Sequence, residues 1–354
     1  MEPTKKPLQS KVSIAILIAG LAAFILYFIF FIDPQQVAQS LVQTDLTIYS
    51  VAFVAYMLFT VCSAMVWRSL LSSLAVKITT RKAFLYTWTG LFFEATIPQL
   101  GWSAEVSKTY LLTKDSNIPA GKVGASVVGQ KILGMTITIT ALSIGLGLLL
   151  FRYSLNLTAT LLIGIVLGLS ILTLAVVYYI SFKPTATKTL LHLAIKIGQF
   201  FRKSWNPQNF QAKAEELLKG FHINIAQLKA NPKALIVPAV YGVAGFIFEV
   251  SVLFITFAAL GQPVPVDVVL IVFTLTGTLQ TIGPLFFPEL VMTLTLTALF
   301  GDPAVAFSAT LLSRVVNLWF RLAVSCGALQ LAGIKIIHQT PPNNNQPIVE
   351  VKQN

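Results

Sequence analysis

Long runs of apolar residues recur along the chain, separated by short polar segments. Six runs hold roughly 20 residues or more, enough for a helix to cross a hydrocarbon core of about 30 Å. They are residues 12–32, 46–67, 123–151, 157–182, 234–260 and 304–334. The pattern therefore predicts an all-α polytopic membrane protein with six spanning helices.

Two further apolar stretches are short or interrupted. Residues 83–97 run directly into Pro98, and residues 268–300 are interrupted by the proline-containing pairs 283–284 and 288–289. Broken backbone at membrane depth is tolerated only where it is buried in protein or lines a wet cavity. We therefore predict that 83–97 and 268–300 form re-entrant or broken helix pairs.

Basic residues mark the cytoplasmic connections of membrane proteins, so their distribution predicts sidedness. The connection before residue 46 carries Asp33 and Asp45 without Lys or Arg, whereas the connection 68–82 carries four basic residues. If 83–97 re-enters, the most basic connection, 183–233, lies inside together with both termini. If 83–97 crosses instead, every later connection inverts. The charge distribution favours re-entry.

Composition narrows the class of protein. The chain has 354 residues, of which 55% are hydrophobic and 11% charged, with a net charge of +12. A soluble globular protein carries about a quarter charged residues. We expect one membrane domain over 1–334, with a cytoplasmic amphipathic insert at 183–233 and a disordered cytoplasmic tail at 335–354.

Motifs for covalent chemistry are missing from the sequence. It contains no phosphate-binding loop, no nucleophile elbow and no His or Cys cluster for a metal. Cys62 and Cys326 each lie alone in an apolar run. We therefore expect no enzyme activity, no cofactor and no metal. The expected partners are membrane lipids, with a lipid-modifying transferase as a further candidate, and nucleic acid is not expected.

Charged residues inside apolar segments are the candidates for function, because a charge at mid-membrane costs about 2.5–3.5 kcal/mol on insertion scales. The last predicted span holds polar residues at helical spacing, which predicts one polar stripe. They are Thr310, Arg314, Asn317, Arg321 and Ser325. The two arginines suit a phosphate, because a guanidinium presents a donor fork. Pairing with Glu289 or Glu249, or snorkelling to the interface, are the alternatives.

Five other charged residues lie in comparable places. Lys131 interrupts the predicted span 123–151, and Glu105 and Glu289 each follow a helix-breaking motif. The carboxylates could hold a cationic or hydroxyl group of a substrate or carry protons. Alternatively, Glu105 is a solvated loop residue, Glu289 belongs to an internal ion pair and Lys131 reaches the interface. Glu249 is expected to pair with a base inside the membrane, as is Glu94.

Two blocks of the sequence share one order of features. Pro98 is followed by Glu105 and then by Lys131, 26 residues after that glutamate; Pro284 is followed by Glu289 and then by Arg314, 25 residues after it. By the predicted topology the blocks approach from opposite sides. This is the inverted repeat by which many transporters alternate access to a midplane site.

Three parts of the sequence carry a family resemblance: the run Ile97-Pro-Gln-Leu-Gly-Trp-Ser-Ala-Glu105-Val-Ser-Lys108, the segment ending in Gln130-Lys131, and Pro288-Glu289 with Arg314. Together they resemble the lysylphosphatidylglycerol synthase transmembrane-region family, also called flippase-like. The similarity covers roughly 12–334. It implies movement of aminoacylated or polyprenyl-linked lipids, and it adds Lys108 to the candidates as the basic partner of the first block.

Two departures from the family pattern leave the substrate open. Gln130 replaces the usual glutamate before the base, and Pro284-Leu-Phe-Phe-Pro288 replaces the usual Pro-Gly-Gly stretch. The resulting hypothesis is a flippase for an anionic, aminoacylated or polyprenyl-linked lipid in the cytoplasmic membrane. The alternative is a lipid-binding membrane subunit of a partner transferase or synthase. An enzyme that uses Glu105 or Glu289 as a base is a third, weaker hypothesis.

Overall fold

Helices account for nearly all of the described chain. The computed structural model describes residues 34–96, 102–152, 157–201, 207–280 and 287–337, and no strand occurs among them. The predicted all-α class is therefore confirmed for this part of the chain.

We label the helices in chain order. They are α1 (Pro34–Val42), α2 (Leu46–Ser73), α3 (Thr80–Thr96), α4 (Ser103–Ser116), α5 (Ala120–Arg152), α6 (Leu157–Phe182), α7 (Pro184–Phe201), α8 (Gln208–Ala230), α9 (Ile236–Ala259), α10 (Val266–Gln280), α11 (Phe287–Phe300), α12 (Pro303–Arg314) and α13 (Arg321–Ile337). A 3-10 turn, Pro232–Leu235, leads into α9, and a π-helical segment, Val315–Phe320, joins α12 to α13.

Five helical stretches of the described chain are long and apolar enough to cross a membrane. They are Leu46–Ser73, Ala120–Arg152, Gly164–Phe182, Pro232–Ala259 and Pro303–Ala332. They match five of the six predicted spans, and the sixth, 12–32, lies outside the described residues, as does 338–354 of the predicted tail. Residues 335–337 belong to α13 and not to the tail. The chain is a multi-pass membrane protein.

Helices α2 and α9 form the centre of the bundle and run antiparallel. The Asp45 N–H, before α2, donates to the Ala259 carbonyl at the end of α9 (2.8 Å). At the opposite end, the Ser73 hydroxyl donates to the Ala234 carbonyl (3.4 Å). Between them, a Cβ at Gly245 would lie 3.1 Å from the nearest atom of α2. Small residues allow such close approach where no hydrophobic driving force separates helix from lipid.

This antiparallel arrangement gives the bundle two chemically different ends. The aspartate end, where α2 begins, carries Asp45, Asp267 and Asp302. Asp45 and Asp302 cap α2 and α12, since each carboxylate accepts two hydrogen bonds from the first backbone N–H groups of its helix. The basic end, where α2 finishes, carries Arg68, Lys77, Arg81 and Lys114.

The first hairpin, α3 and α4, opens toward the basic end. Lys82 near the start of α3 forms an ion pair with Asp115 near the end of α4, with Nζ and Oδ2 2.5 Å apart. Gly90 allows the arms to meet, because a Cβ there would lie 3.1 Å from the Ala104 carbonyl oxygen. The sequence predicts one short apolar segment here, with Glu105 beyond it in a polar loop as one alternative. The loop assignment is wrong, because Ser103–Ser116 forms the second helical arm.

The second hairpin, α10 and α11, opens toward the aspartate end. Asp267 in the first turn of α10 lies 3.7 Å from the guanidinium of Arg152, and the Phe300 ring contacts Phe257 near the end of α9. The predicted break at 283–284 lies outside the described residues. The second predicted break, at 288–289, falls in the first turn of α11, where a proline is tolerated.

The chain has two halves, α2 to α5 and α9 to α13. In each half, the first arm of the hairpin packs on a helix of the other half. The first arm of the first hairpin, α3, packs on α13 of the second half. The first arm of the second hairpin, α10, packs on α5 of the first half. Each hairpin is therefore held by the last long helix of the other half.

The predicted insert 183–233 consists of α7 and α8. Helix α8 packs along α5 at Gly121, where a Cβ would lie 2.7 Å from the Leu217 carbonyl oxygen and 2.8 Å from the Phe221 N. The two backbones are nearly in contact, so glycine is required. The insert's position on the inner leaflet stays a prediction.

Substituting Gly121→Ala should separate α5 from α8, because backbone atoms that meet the new methyl group cannot rotate away. We expect a destabilisation of about 1–3 kcal/mol, measured as a lower midpoint of thermal unfolding in detergent. Gly134→Ala on the same helix is the matched control, since no atom lies within 4 Å of a Cβ there. An equal effect of both substitutions would contradict the assigned contact.

The Lys82–Asp115 pair should make stability depend on pH. Burial opposes ionisation of Asp115, but hydrogen bonds from Lys82 and Tyr86 outweigh it and lower the carboxyl pKa. A lowered pKa contributes stability above the unfolded value of about 3.9, and that contribution disappears as pH falls through the folded value. We expect Asp115→Asn to lower stability by up to about 1 kcal/mol at neutral pH, since Lys82 is partly exposed.

Thermal unfolding of the wild type and the Asp115→Asn variant as a function of pH checks this expectation. The two midpoints should differ at pH 7 and converge as the solution is acidified below the ordinary range of aspartate. A difference that is constant over the whole pH range would mean that the charge of Asp115 is not the cause.

Candidate functional site

In the first half of the chain, a carboxylate and an amine from neighbouring helices form an ion pair inside the bundle. Glu105 occupies the first turn of α4, where the helix dipole favours negative charge. Lys131 lies eleven residues after the start of α5, so about 17 Å along its axis. Lys131 Nζ is 3.6 Å from Glu105 Oε1 and 5.5 Å from the centre of the Trp102 ring. Glu105 is therefore not a solvated loop residue.

Lys108, one turn beyond Glu105, is almost completely buried, with 5% of its surface exposed. Its Nζ donates to Gln130 Oε1 (3.1 Å) and lies over the Trp67 ring at 5.6 Å. The Gln130 amide in turn donates to the carbonyl and the hydroxyl of Ser63 on α2. A neutral partner thus holds the most buried amine of this half.

The second half repeats the first arrangement with arginine in place of lysine. Glu289 lies in the first turn of α11, and Arg314 is the last residue of α12. Arg314 Nη1 forms an ion pair with Glu289 Oε1, and both side chains are largely buried. The Thr293 hydroxyl donates to that of Thr310 (3.0 Å) one turn away, which joins the same two helices.

Arg321 occupies a third charged position, between the two halves. It is 8% exposed and donates a hydrogen bond to the Tyr56 hydroxyl on α2. Glu94 and Glu249 interact electrostatically with it. Neither glutamate forms an ion pair within 4 Å among the described residues, so their pairing with a base inside the membrane stays a prediction. Aromatic rings of Tyr56, Trp88 and Phe320 pack edge to face around this point.

The predicted continuous stripe on the last span is wrong beyond Arg314. Hydrogen bonds in a π-helix run from residue i to i+5, so the segment Val315–Phe320 turns the following residues away from the α-helical direction. Arg314 consequently contacts α11, whereas Arg321 contacts α2. Asn317 lies within the π segment itself. Single π turns are frequent at functional sites, and nothing in the sequence marks this one.

We call the two ion pairs, together with the charged residues that lie between them, the charge network. In order, its members are Lys131, Glu105, Lys108, Glu94, Arg321, Arg314 and Glu289. Arg314 and Arg321 carry like charge and repel each other, whereas the other neighbours in the network have opposite charges. The network begins in one half, passes between α3 and α13, and ends in the other half. It brings together six of the seven residues singled out from the sequence, and Asn317 lies beside it.

Three buried polar atoms in or beside the charge network have no hydrogen-bond partner among the described residues. They are Glu289 Oε2, Asn317 Oδ1 and Arg321 Nε. An unsatisfied buried group costs about 1–3 kcal/mol, so a native structure retains few without a reason. Two of these atoms are acceptors and one is a donor, so a ligand that carries both kinds of group could satisfy them.

Sequence reasoning missed the side chains from α2 that support the network. Tyr56, Ser63 and Trp67 lie in an apolar run, where their polar atoms resemble those of ordinary core residues. Within the described ranges, no three His, Cys, Asp or Glu side chains are grouped so that they could hold a metal ion.

Comparison with known proteins agrees with this architecture. The sequence profile of a family described as the lysylphosphatidylglycerol synthase TM region matches residues 12–325. The chain is also 26% identical, over 299 residues, to the UPF0104 membrane protein MJ1595 of Methanocaldococcus jannaschii, an alignment that covers 83% of this chain and 87% of that protein. No solved structure matches the chain. The profile spans most of the sequence, so the chain belongs to the lysylphosphatidylglycerol synthase transmembrane-region family.

Proposed function

We propose that the protein is a flippase that moves a lipid with an anionic head group across the cytoplasmic membrane, without changing the lipid covalently. The charge network carries this proposal. Charges of both signs inside a membrane bundle are costly and usually mark a pathway for a polar or charged substrate. By the excess of Lys and Arg, the basic end and both termini would face the cytoplasm.

The two ion pairs support an inverted repeat. In each half, the carboxylate belongs to the first turn of the second hairpin arm, and the base belongs to the long helix that follows. The hairpins open toward opposite ends, and each packs on the other half. Transporters with inverted repeats use this relation to open a midplane site to one side at a time.

The head group would bind by exchange of ion pairs. A phosphodiester presents oxygens that match the guanidinium fork of Arg314, so it competes directly with the Glu289 carboxylate. The released carboxylate can then accept a hydrogen bond from an ammonium or hydroxyl group of the same head group. Lys131 and Glu105 would act in the same way in the other half. The acyl or prenyl chains would stay in the bilayer.

Mixed charge favours a head group that carries both a phosphate and an amine, such as an aminoacylated phospholipid. The family description names lysylphosphatidylglycerol synthesis, which is consistent with this class. Polyprenyl-linked lipids remain within the proposal because they also carry phosphate. Transport would be downhill, coupled to an ion or driven by a partner, since no nucleotide-binding loop occurs in the sequence.

The double substitution Glu289→Gln with Arg314→Gln separates transport from folding. Removing both charges leaves no unpaired buried ion, so it costs much less stability than removing one partner alone. We expect the unfolding midpoint to change little, while movement of fluorescent phosphatidylglycerol between leaflets of reconstituted vesicles falls at least about tenfold, through loss of charge-assisted hydrogen bonds.

The matched control is the pair Asp267→Asn with Arg152→Gln, which removes an acid and an arginine 3.7 Å apart outside the charge network. It should keep full transport. Wild-type transport by the Glu289/Arg314 variant would show that the interior pair serves only to hold helices together and would refute the proposal.

The lipids that co-purify with the protein should identify the substrate class. We expect mass spectrometry to find an anionic or amine-bearing lipid enriched in the wild type and depleted in the Arg314→Gln variant, because the phosphate loses its bidentate partner. Arg81→Gln removes an exposed arginine and should leave the lipid profile unchanged. Enrichment that persists without any transport in vesicles would favour a lipid-binding subunit of a partner transferase.

A further inference from the structure

A cavity of about 440 Å³ lies at the basic end, away from the charge network. It is placed between the end of α2 and the start of α9. Its polar lining comes from Arg68, Ser69, Ser72, Ser73 and Lys77, and its apolar lining includes Ala234 and Val237. Two cations and three hydroxyl groups around one space are a donor-rich environment.

The turn that follows α2 fixes the shape of this cavity. Val76 N–H donates to the Leu71 carbonyl and Ala75 N–H to the Ser72 carbonyl, both at 2.9 Å. Ala75 has a φ of 56°, so this is a Schellman motif with its left-handed residue directly after the helix cap. The chain turns back sharply, and the burial of Val76 pins it to the helix end.

Lys77 is held at the cavity by its neighbours. Val76 and Ile78 are both buried, whereas Lys77 between them is exposed. Because buried and exposed side chains alternate here, the Lys77 side chain is directed to the cavity and the solvent. Because buried neighbours restrict its backbone, the amine contributes to the cavity at a reduced cost in conformational entropy.

Arg68 is oriented by a hydrogen bond to the same turn. Its Nε donates to the Ile78 carbonyl (3.2 Å), which engages one of its five N–H groups. Among the described residues, no carboxylate lies within ion-pair distance of Arg68 or Lys77. The positive charge of the cavity is therefore not neutralised by the described chain, and a phosphate group would complement it.

The surroundings of the cavity favour the phosphate group of a lipid over a soluble phosphate ion. The cavity lies at the ends of two candidate spans, Leu46–Ser73 and Pro232–Ala259, which is the depth of lipid head groups. Val237, which lines the cavity, is 54% exposed and continues an apolar outer face of α9 with Ile236 and Val240. An acyl chain could follow that face directly from the cavity.

We propose that this cavity binds the phosphate of an anionic phospholipid from the leaflet at the basic end, with its acyl chains along the outer face of α9. Basic pockets between membrane helices on the cytoplasmic side are known to hold such head groups. This site is separate from the charge network, and it does not depend on lipid transport.

Photolabelling tests the site by location. The full-length protein would be reconstituted in phosphatidylcholine nanodiscs with a phosphatidylglycerol probe that carries a photoactivatable group near its head. We expect labelled peptides from residues 68–78 and 232–240. In the Arg68→Gln/Lys77→Gln variant, that labelling should fall at least about tenfold, because charge-assisted hydrogen bonds are lost. The matched control Arg81→Gln/Lys114→Gln, which changes two exposed basic residues at the same end, should keep it.

A second variant and two competitors guard against misfolding and against other ligands. Lys77→Glu reverses one exposed charge without removing the Arg68 bond, and it should also reduce labelling. Unlabelled phosphatidylglycerol should displace the probe, whereas inorganic phosphate should not. Undiminished labelling in both variants, or no displacement by unlabelled phosphatidylglycerol, would overturn the proposal. Equal competition by inorganic phosphate would make this a site for a soluble anion.

Discussion

The architecture of this protein depends on how charged groups are kept inside an apolar bundle. A charge taken out of water is tolerated only when a partner and hydrogen bonds replace its hydration. Here Glu105 and Glu289, each in the second arm of a hairpin, pair with a base on the long helix that follows. Pairing therefore determines where the hairpins can lie, and the helical breaks place the carboxylates at the start of an arm, where the dipole favours them.

The interior charges also connect elements that are far apart in sequence. Arg321 lies close to α2, α3 and α9 at once, through Tyr56, Glu94 and Glu249. Aromatic and aliphatic side chains around these groups exclude water, and charges interact more strongly in such surroundings than in water. The apolar packing of α2 against α9 and the polar interior are thus mutually dependent.

Much of this arrangement could be predicted from the sequence, because membrane spans require long apolar runs and interior charges stand out within them. Helix α4 could not be predicted: Ser103–Ser116 is no more apolar than a loop, and it is helical because Leu111 and Leu112 pack in the core beneath it. The pairing of Arg314 with Glu289 was one of several alternatives, since sequence spacing does not distinguish an internal partner from a phosphate.

Because of the π segment, the two ends of one continuous helix pack on different neighbours. Up to Arg314 the helix is attached to the second hairpin, and from Arg321 onward it is attached to the first half of the chain. A uniform α-helix would place residues seven positions apart on nearly the same side, so both arginines would face one neighbour. The single wide turn therefore lets one continuous helix join the two halves of the chain without a loop between its segments.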